Sequence, residues 1–298
     1  FDIPTETLKR LLADAARIKA ARRRGIPGGS LAGQVIGLVF EKPSLRTRVS
    51  FEAAIAQLGG SSLFLPGNEV GLGWREPLPD FARTMGRYVD AIVLRVFRQE
   101  TVDTIAQWAG VPVINGLSDR DHPCQALADL QTIEEQFGTV AGKTIAFIGD
   151  GNNVAMSLAV GVAKLGGHFL LACPAGYEFD AEFQKRFHTE LPGIPFPAST
   201  NDPQSAVRSA DVIYTDVWTS MGQEAERDER LQRFEGFQVN ADLLTLAPSH
   251  AKILHCLPAH RGEEITGDVM ESPQSIVFDQ AENRLHAQKA VLEWALGR

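Results

Sequence analysis

Residues 34–52 read Q-V-I-G-L-V-F-E-K-P-S-L-R-T-R-V-S-F-E. The opening run, 34–40, has the composition of a short buried strand, and Val49, Ala53, Ile55 and Leu58 then recur at helical spacing. Ser44-Leu45-Arg46-Thr47-Arg48 therefore stands at a strand-to-helix turn. The first amides of a helix have no intrahelical partner and the helix dipole is positive there. An anion at such a turn finds amide, hydroxyl and guanidinium donors together. The plainer alternative makes Ser44 an N-cap and the arginines a solvated face, and the turn alone does not decide between them.

Outward from this stretch the same alternation repeats. Predicted strands at 34–40, 61–65, 91–95 and 111–115 are separated by amphipathic segments at 46–59, 77–88 and 101–109, the pattern of a parallel α/β architecture. A helix at 5–23 precedes them, and one from about 122 to 137 leads into a second series. That series has strands at 143–149, 168–173, 211–215 and 252–255, with helices at 153–165 and near 180–189. The expected fold is thus α/β, with two doubly wound parallel-sheet domains, 1–132 and 133–281, and the active site in the cleft between them. A last helix is expected from 282 to 296, and the segment 282–298 is expected to pack back on the first domain.

Composition narrows the function. At 298 residues the chain is long for one core, and 44% hydrophobic with 22% charged residues describes an ordinary globular protein. A net charge of -8 argues against nucleic acid or an acidic membrane as the main partner and points to small substrates. Cys124, Cys173 and Cys256 are an odd number without disulfide-like spacing, which suits a reducing, cytoplasmic location. No apolar run is long enough to cross a bilayer, and the start is not a signal peptide. No zinc pattern occurs: His250, His255 and His260 recur every five residues, which fits no helix face.

Ligands of open α/β sheets bind outside the carboxyl ends of the strands, and the unusual residues fall there. Ser44 to Arg48, Arg95 and His122-Pro123-Cys124-Gln125 follow or end strands in the first half. Gly149-Asp150-Gly151-Asn152-Asn153, Asp216-Val217-Trp218-Thr219-Ser220-Met221-Gly222 and His255-Cys256-Leu257-Pro258 do so in the second. The first set offers hydroxyls, guanidiniums, an imidazole and an amide, suited to a phosphate on a polar carbonyl. The second offers Asp216, Asn153 and Ser220 for an ammonium or amino-acid head group, with a thiol beside them.

These motifs, with Glu282-Asn283-Arg284 near the end, resemble the aspartate and ornithine carbamoyltransferases over nearly the whole chain. S-x-R-T-R and H-P-x-Q mark the superfamily, and D-x-W-x-S-M-G with H-C-L-P is similar to its ornithine branch. The resemblance implies an enzyme that passes the carbamoyl group of carbamoyl phosphate to the δ-amine of L-ornithine. It implies no cofactor or metal, and a homotrimer or a multiple of trimers. By it, Ser44, the Leu45 amide, Arg46, Thr47, Arg95, His122, Gln125 and Arg284 hold carbamoyl phosphate, with Cys256 and Leu257 beside the reacting centre. Asn153, Asp216, Ser220 and Met221 hold ornithine, and Arg95, His122 and Cys256 are the catalytic set. Leu45 stands where the family usually has Thr, a change that keeps the backbone donor. Residues 67–77, G-N-E-V-G-L-G-W-R-E-P, match the family poorly, and Trp74 is left without a role.

Transfer needs a neutral amine, whereas a δ-ammonium titrates near the lysine value of about 10.4, so the site must favour the deprotonated form. Thr47, Arg95 and His122 are the donors expected at the carbonyl oxygen as it gains charge. The leaving phosphate takes the amine's proton, so no general base is required.

Rival readings remain open on the residues alone. Asp150 and Asn153 equally suit helix caps, His122 a structural turn and Cys256 a buried apolar side chain. Gly149-x-Gly151 after a strand invites a nicotinamide dehydrogenase, although Val154 stands at the third fingerprint position and no acidic residue ends the next strand. Cys256 invites a cysteine hydrolase, which requires a nearby His and an orienting group. A two-domain amino-acid-binding protein is a further alternative. Carbamoyltransferases for acetylated ornithine or putrescine share the expected first site.

Overall fold

In the computed structural model, residues 1–219 and 224–298 are described. The chain divides into two compact units, one of Glu6–Gln131 with Asn283–Arg298 and the other of Phe1–Thr5 with Thr132–Glu282.

The first unit holds β1 (Val35–Phe40), β2 (Ser61–Pro66), β3 (Ala91–Arg95) and β4 (Val113–Leu117), all parallel, in the order β2-β1-β3-β4. Every residue of β3 is buried and β1 is buried from Ile36 onward, as apolar runs in the middle of a parallel sheet should be. The edge strand β2 is exposed at alternate residues along its first half. Its helices are α1 (Thr5–Arg23), α2 (Leu45–Gln57), α3 (Gly67–Val70), α4 (Leu78–Tyr88) and α5 (Gln99–Trp108). Val39, Ile92, Leu94, Phe81, Met85, Val102 and Ile105 form one core cluster. The α4 backbone lies so close to the end of α5 that a Cβ on Gly86 would sit 1.7 Å from the Ala109 carbonyl oxygen.

The chain leaves this unit within α6 (Pro123–Phe137) and returns within α13 (Val277–Ala295). Between them run β5 (Thr144–Ile148), α7 (Asn153–Lys164), β6 (His168–Ala172), α8 (Ala181–Glu190), β7 (Ala198–Thr200) and α9 (Pro203–Val207). β8 (Val212–Thr215), α10 (Arg227–Arg233), α11 (Ala241–Thr245), β9 (Lys252–His255) and α12 (Gly267–Met270) follow. The sheet is again parallel, in the order β7-β6-β5-β8-β9. Its core includes Ile148, Ile213, Trp218, Phe234, Val239, Ile253 and Val277.

Two expectations shift, and one strand is not legible in the sequence. The strand expected at 111–115 is β4 at Val113–Leu117: Pro112 has no N–H to donate, and pairing instead runs on through Asn115 to Leu117, skipping Gly116 at an irregularity opposite Leu94/Arg95. The last helix begins at Val277, five residues before 282, because its first turns carry buried polar residues that break the apolar period. One is Gln280, whose Oε1 accepts the His255 N–H at 2.9 Å. The short strand β7, following Phe196-Pro197, has no apolar alternation by which it could be read.

In both sheets the chain steps to one side of its first strand and then to the other. This places the topological switch points between β1 and β3 and between β5 and β8, where open α/β sheets bind ligands.

Candidate active site

At the first switch point Ser44 caps α2, its Oγ accepting the Thr47 N–H at 3.2 Å. The cap turns the buried Thr47 hydroxyl toward two guanidiniums. Arg284 donates from Nη2 to Thr47 Oγ1 at 2.9 Å, and Arg95, the last residue of β3, donates from Nη1 at 3.4 Å. Arg284 also donates from Nη1 to Gln125 Oε1, and Gln125 Nε2 donates in turn to Asp129 Oδ1 at 2.8 Å. Thr47, Arg95, His122, Gln125 and Arg284 are all at least nine-tenths buried. Arg46 is half-buried, and the Leu45 side chain is 73% exposed, which leaves its backbone amide as the useful group.

Two cations around a buried hydroxyl shape the titration of their neighbours. Burial first, then Arg284 and Arg95, hold the His122 imidazole well below its ordinary range. It is therefore neutral at neutral pH and donates one N–H without adding charge. Burial pushes the neighbouring Cys124 thiol up to about 11 against the pull of Arg284, so it is an inert thiol.

At the second switch point Asn152 caps α7, its Oδ1 accepting from Val154 N at 3.0 Å and Ala155 N at 3.1 Å. Of the candidate caps read from sequence, neither Asp150 nor Asn153 takes that role. Asn152 also donates from Nδ2 to Asp216 Oδ2 at 3.0 Å, while Asp216 Oδ1 accepts from Val217 N and from Cys256 Sγ, each at 2.8 Å. Asn153 is the half-buried first residue of α7. Ser220 and Met221 lie outside the described residues.

Behind Cys256, His255 is buried with both ring nitrogens engaged. The Leu257 N–H donates to Nδ1 at 2.8 Å, which makes Nε2 the protonated nitrogen facing Glu264 Oε1 at 3.0 Å. Leu257 has a positive φ of 57° and precedes a cis Pro258.

Residues 1–135 match the carbamoyl-P binding domain of aspartate/ornithine carbamoyltransferases, and residues 141–295 match the Asp/Orn binding domain. An ornithine carbamoyltransferase of Desulfotalea psychrophila is 52% identical over 296 residues, 99% of this chain and 97% of that one. The anabolic ornithine carbamoyltransferase of Pyrococcus furiosus is 50% identical over 298 residues, covering 99% of this chain and 94% of its own. A solved structure of the P. furiosus enzyme superimposes with a TM-score of 0.94 over 99% of this chain and 95% of that one. The chain belongs to the aspartate/ornithine carbamoyltransferase family.

Within that family's architecture the rival readings lose their geometric support. A dinucleotide needs the free N-terminal amides of α7, and the Asn152 side chain occupies two of them. A Cβ on Gly151 would meet the backbone at Glu178 and Phe179 at 2.8–3.0 Å, so this glycine serves chain packing. A cysteine hydrolase needs an imidazole on its thiol. Cys256 Sγ instead donates to a carboxylate, and both nitrogens of its neighbour His255 are committed elsewhere. Two groups, Asp216 with His255 and Cys256, and His260 with Glu263 and Glu264, bring metal-ligand atoms within 4.8 Å of one another. Both are linked by the hydrogen bonds and ion pairs of the protein itself. Sequence reading missed Asn152, Asp129 and the His255–Glu264 pair; only Asp129 left a signal, lying four residues after Gln125 on one helix face.

Proposed function

We propose that this chain, as an ornithine carbamoyltransferase, moves the carbamoyl group of carbamoyl phosphate to the δ-amine of L-ornithine, releasing L-citrulline and phosphate. The convergence of Arg95 and Arg284 on the Thr47 hydroxyl at the head of α2 carries the reading, because guanidinium, hydroxyl and helix-start amide donors together suit a phosphate. Ser44, the Leu45 amide, Arg46, Thr47, Arg95, His122, Gln125 and Arg284 hold carbamoyl phosphate. Asn153, Asp216, Ser220 and Met221 hold ornithine, with Cys256 and Leu257 beside the reacting carbon. Glu6–Gln131 with Asn283–Arg298, which includes most of α13, is then the carbamoyl phosphate unit and the remainder the ornithine unit.

In the reaction the amine nitrogen bonds to the carbamoyl carbon, the carbon–oxygen bond to phosphate breaks, and the amine proton leaves on the phosphate. Negative charge gathers on the carbonyl oxygen in between. Thr47, Arg95 and the neutral His122 are hydrogen-bond donors fixed in advance in a dry site, where such donors are most effective. The remaining acceleration comes from positioning two bound reactants.

The anabolic relative supports a place in arginine synthesis, and the family resemblance a homotrimer or a multiple of trimers. Its three cysteines, none of them in a disulfide, fit a reducing cytoplasm, and among the described residues no helix is long and apolar enough to cross a membrane. The test is citrulline formation, or its carbamoyl equivalent, across ornithine, acetylated ornithine, putrescine and aspartate. Ornithine should be preferred by orders of magnitude. Preference for putrescine or acetylated ornithine would move the assignment to a related carbamoyltransferase.

A further inference from the structure

Arg230, on the exposed-looking stretch R-D-E-R-L-Q-R, is in fact 7% exposed. Its Nη1 donates to Asp150 Oδ2 at 2.6 Å and to the Trp218 carbonyl oxygen at 3.1 Å, and its Nε donates to Glu226 Oε2 at 3.0 Å. Its guanidinium carbon also lies 5.1 Å from the centroid of the Tyr177 ring. Asp150 lies two residues before Asn152, and Trp218 two residues after Asp216. Asn152 and Asp216 are themselves hydrogen-bonded, so the five residues close a ring around the second switch point.

We propose that Arg230 is a positioning residue for the ornithine side of the reaction, clamping the loop that carries Asn152 and Asn153 to the loop that carries Asp216. The inference rests on the ornithine reading given above. A buried ion pair is a poor source of stability compared with packed apolar side chains. What an apolar replacement cannot do is fix a carboxylate on one loop and a carbonyl on another in set directions. Lysine cannot do it either, since a single ammonium has no planar fork to reach Asp150, Trp218 and Glu226 together. Burial raises the Asp150 carboxyl while Arg230 opposes that shift, consistent with a pair that needs both members.

The experiment uses the full chain with Arg230→Met, Arg230→Lys, Arg230→Ala and Asp150→Asn. Citrulline kinetics are measured in both substrates, carbamoyl phosphate affinity by calorimetry, and unfolding by heat. Arg230→Met and Arg230→Lys should raise the ornithine KM on the order of ten- to a hundredfold, the range a misplaced site produces. Carbamoyl phosphate affinity should stay within about threefold, well short of a tenfold step. Low, non-denaturing guanidinium should lower the ornithine KM of Arg230→Ala, which a purely structural role does not predict. Asp150→Asn should show the same split more mildly, and it decides the matter if the arginine variants do not fold. A lowered unfolding temperature with an unchanged ornithine KM, or equal loss of both substrates, would overturn the clamp. Wild-type protein that makes no citrulline would instead overturn the underlying reading, and the clamp with it.

Discussion

In the first unit two guanidiniums share one hydroxyl, Arg284 Nη2 at 2.9 Å and Arg95 Nη1 at 3.4 Å from Thr47 Oγ1. In the second a single carboxylate, Asp216, collects donors from Asn152, Val217 and Cys256 at 2.8–3.0 Å. One rim gathers guanidiniums around a hydroxyl and the other gathers donors around a carboxylate, the contrast on which the proposed division between a dianion and an ammonium rests. They are also assembled differently. Arg284 reaches Thr47 across 237 residues of sequence, whereas the second rim is made by loops that leave neighbouring strands. The proposed anion rim therefore depends on α13 docking, and the proposed amine rim on loop alignment.

Breaking the anion rim should give the largest effect. Arg284→Gln removes a buried cation that serves Thr47 and Gln125 together, and a loss of about 3–5 kcal/mol, or a hundred- to several thousandfold in carbamoyl phosphate affinity, is expected. Asp216→Asn should follow, raising the ornithine KM by about 30- to 1,000-fold, the range for a desolvated charge partner lost from the complex. Steady-state kinetics at saturating second substrate checks the latter.

Cys256→Ala sharpens the contrast between a thiol that tunes Asp216 and one that attacks. With its hydrogen bond to Asp216 lost, kcat/KM for ornithine should drop roughly ten- to a hundredfold, as expected from the about 1.5–3 kcal/mol of a bond to a charged group. Turnover should survive. Below the amine's pKa, kcat/KM in both proteins should rise about tenfold per pH unit, because only the neutral amine attacks. A variant that folds but is wholly dead would restore the nucleophile reading.

The smallest effect concerns stability. His122 has a lowered pKa in the folded chain, so the unfolded chain binds more protons just below the ordinary histidine value of about 6.5. The stability tied to its neutrality is fully present above that pH and is lost progressively as pH falls below it toward the lowered value of the folded chain. Urea unfolding at several pH values should show His122→Gln losing less stability toward acid than wild type does, so that their difference narrows.

Much of this was legible in sequence, and the misses have physical causes. Ser44 to Thr47 and His122 to Gln125 are short local motifs at strand ends, and β3 and β1 are apolar runs that a parallel sheet buries whole. Arg284 came only with the family resemblance, because nothing local marks a residue whose partner is a whole domain away. Asn152 and Asn153 are chemically identical neighbours, and only the backbone decides which one caps α7. Arg230 sits among charges that read as a solvated face, and its burial is a tertiary fact. The start of α13 escaped because Gln280, spent on the His255 amide, breaks the apolar pattern.

The division of labour between the two rims is tested most directly by titrating carbamoyl phosphate calorimetrically into wild type, Arg284→Gln and Asp216→Asn. Wild type and Asp216→Asn should bind with similar affinity while Arg284→Gln loses measurable binding. Equal weakening in both variants, or wild-type affinity in Arg284→Gln, would contradict it.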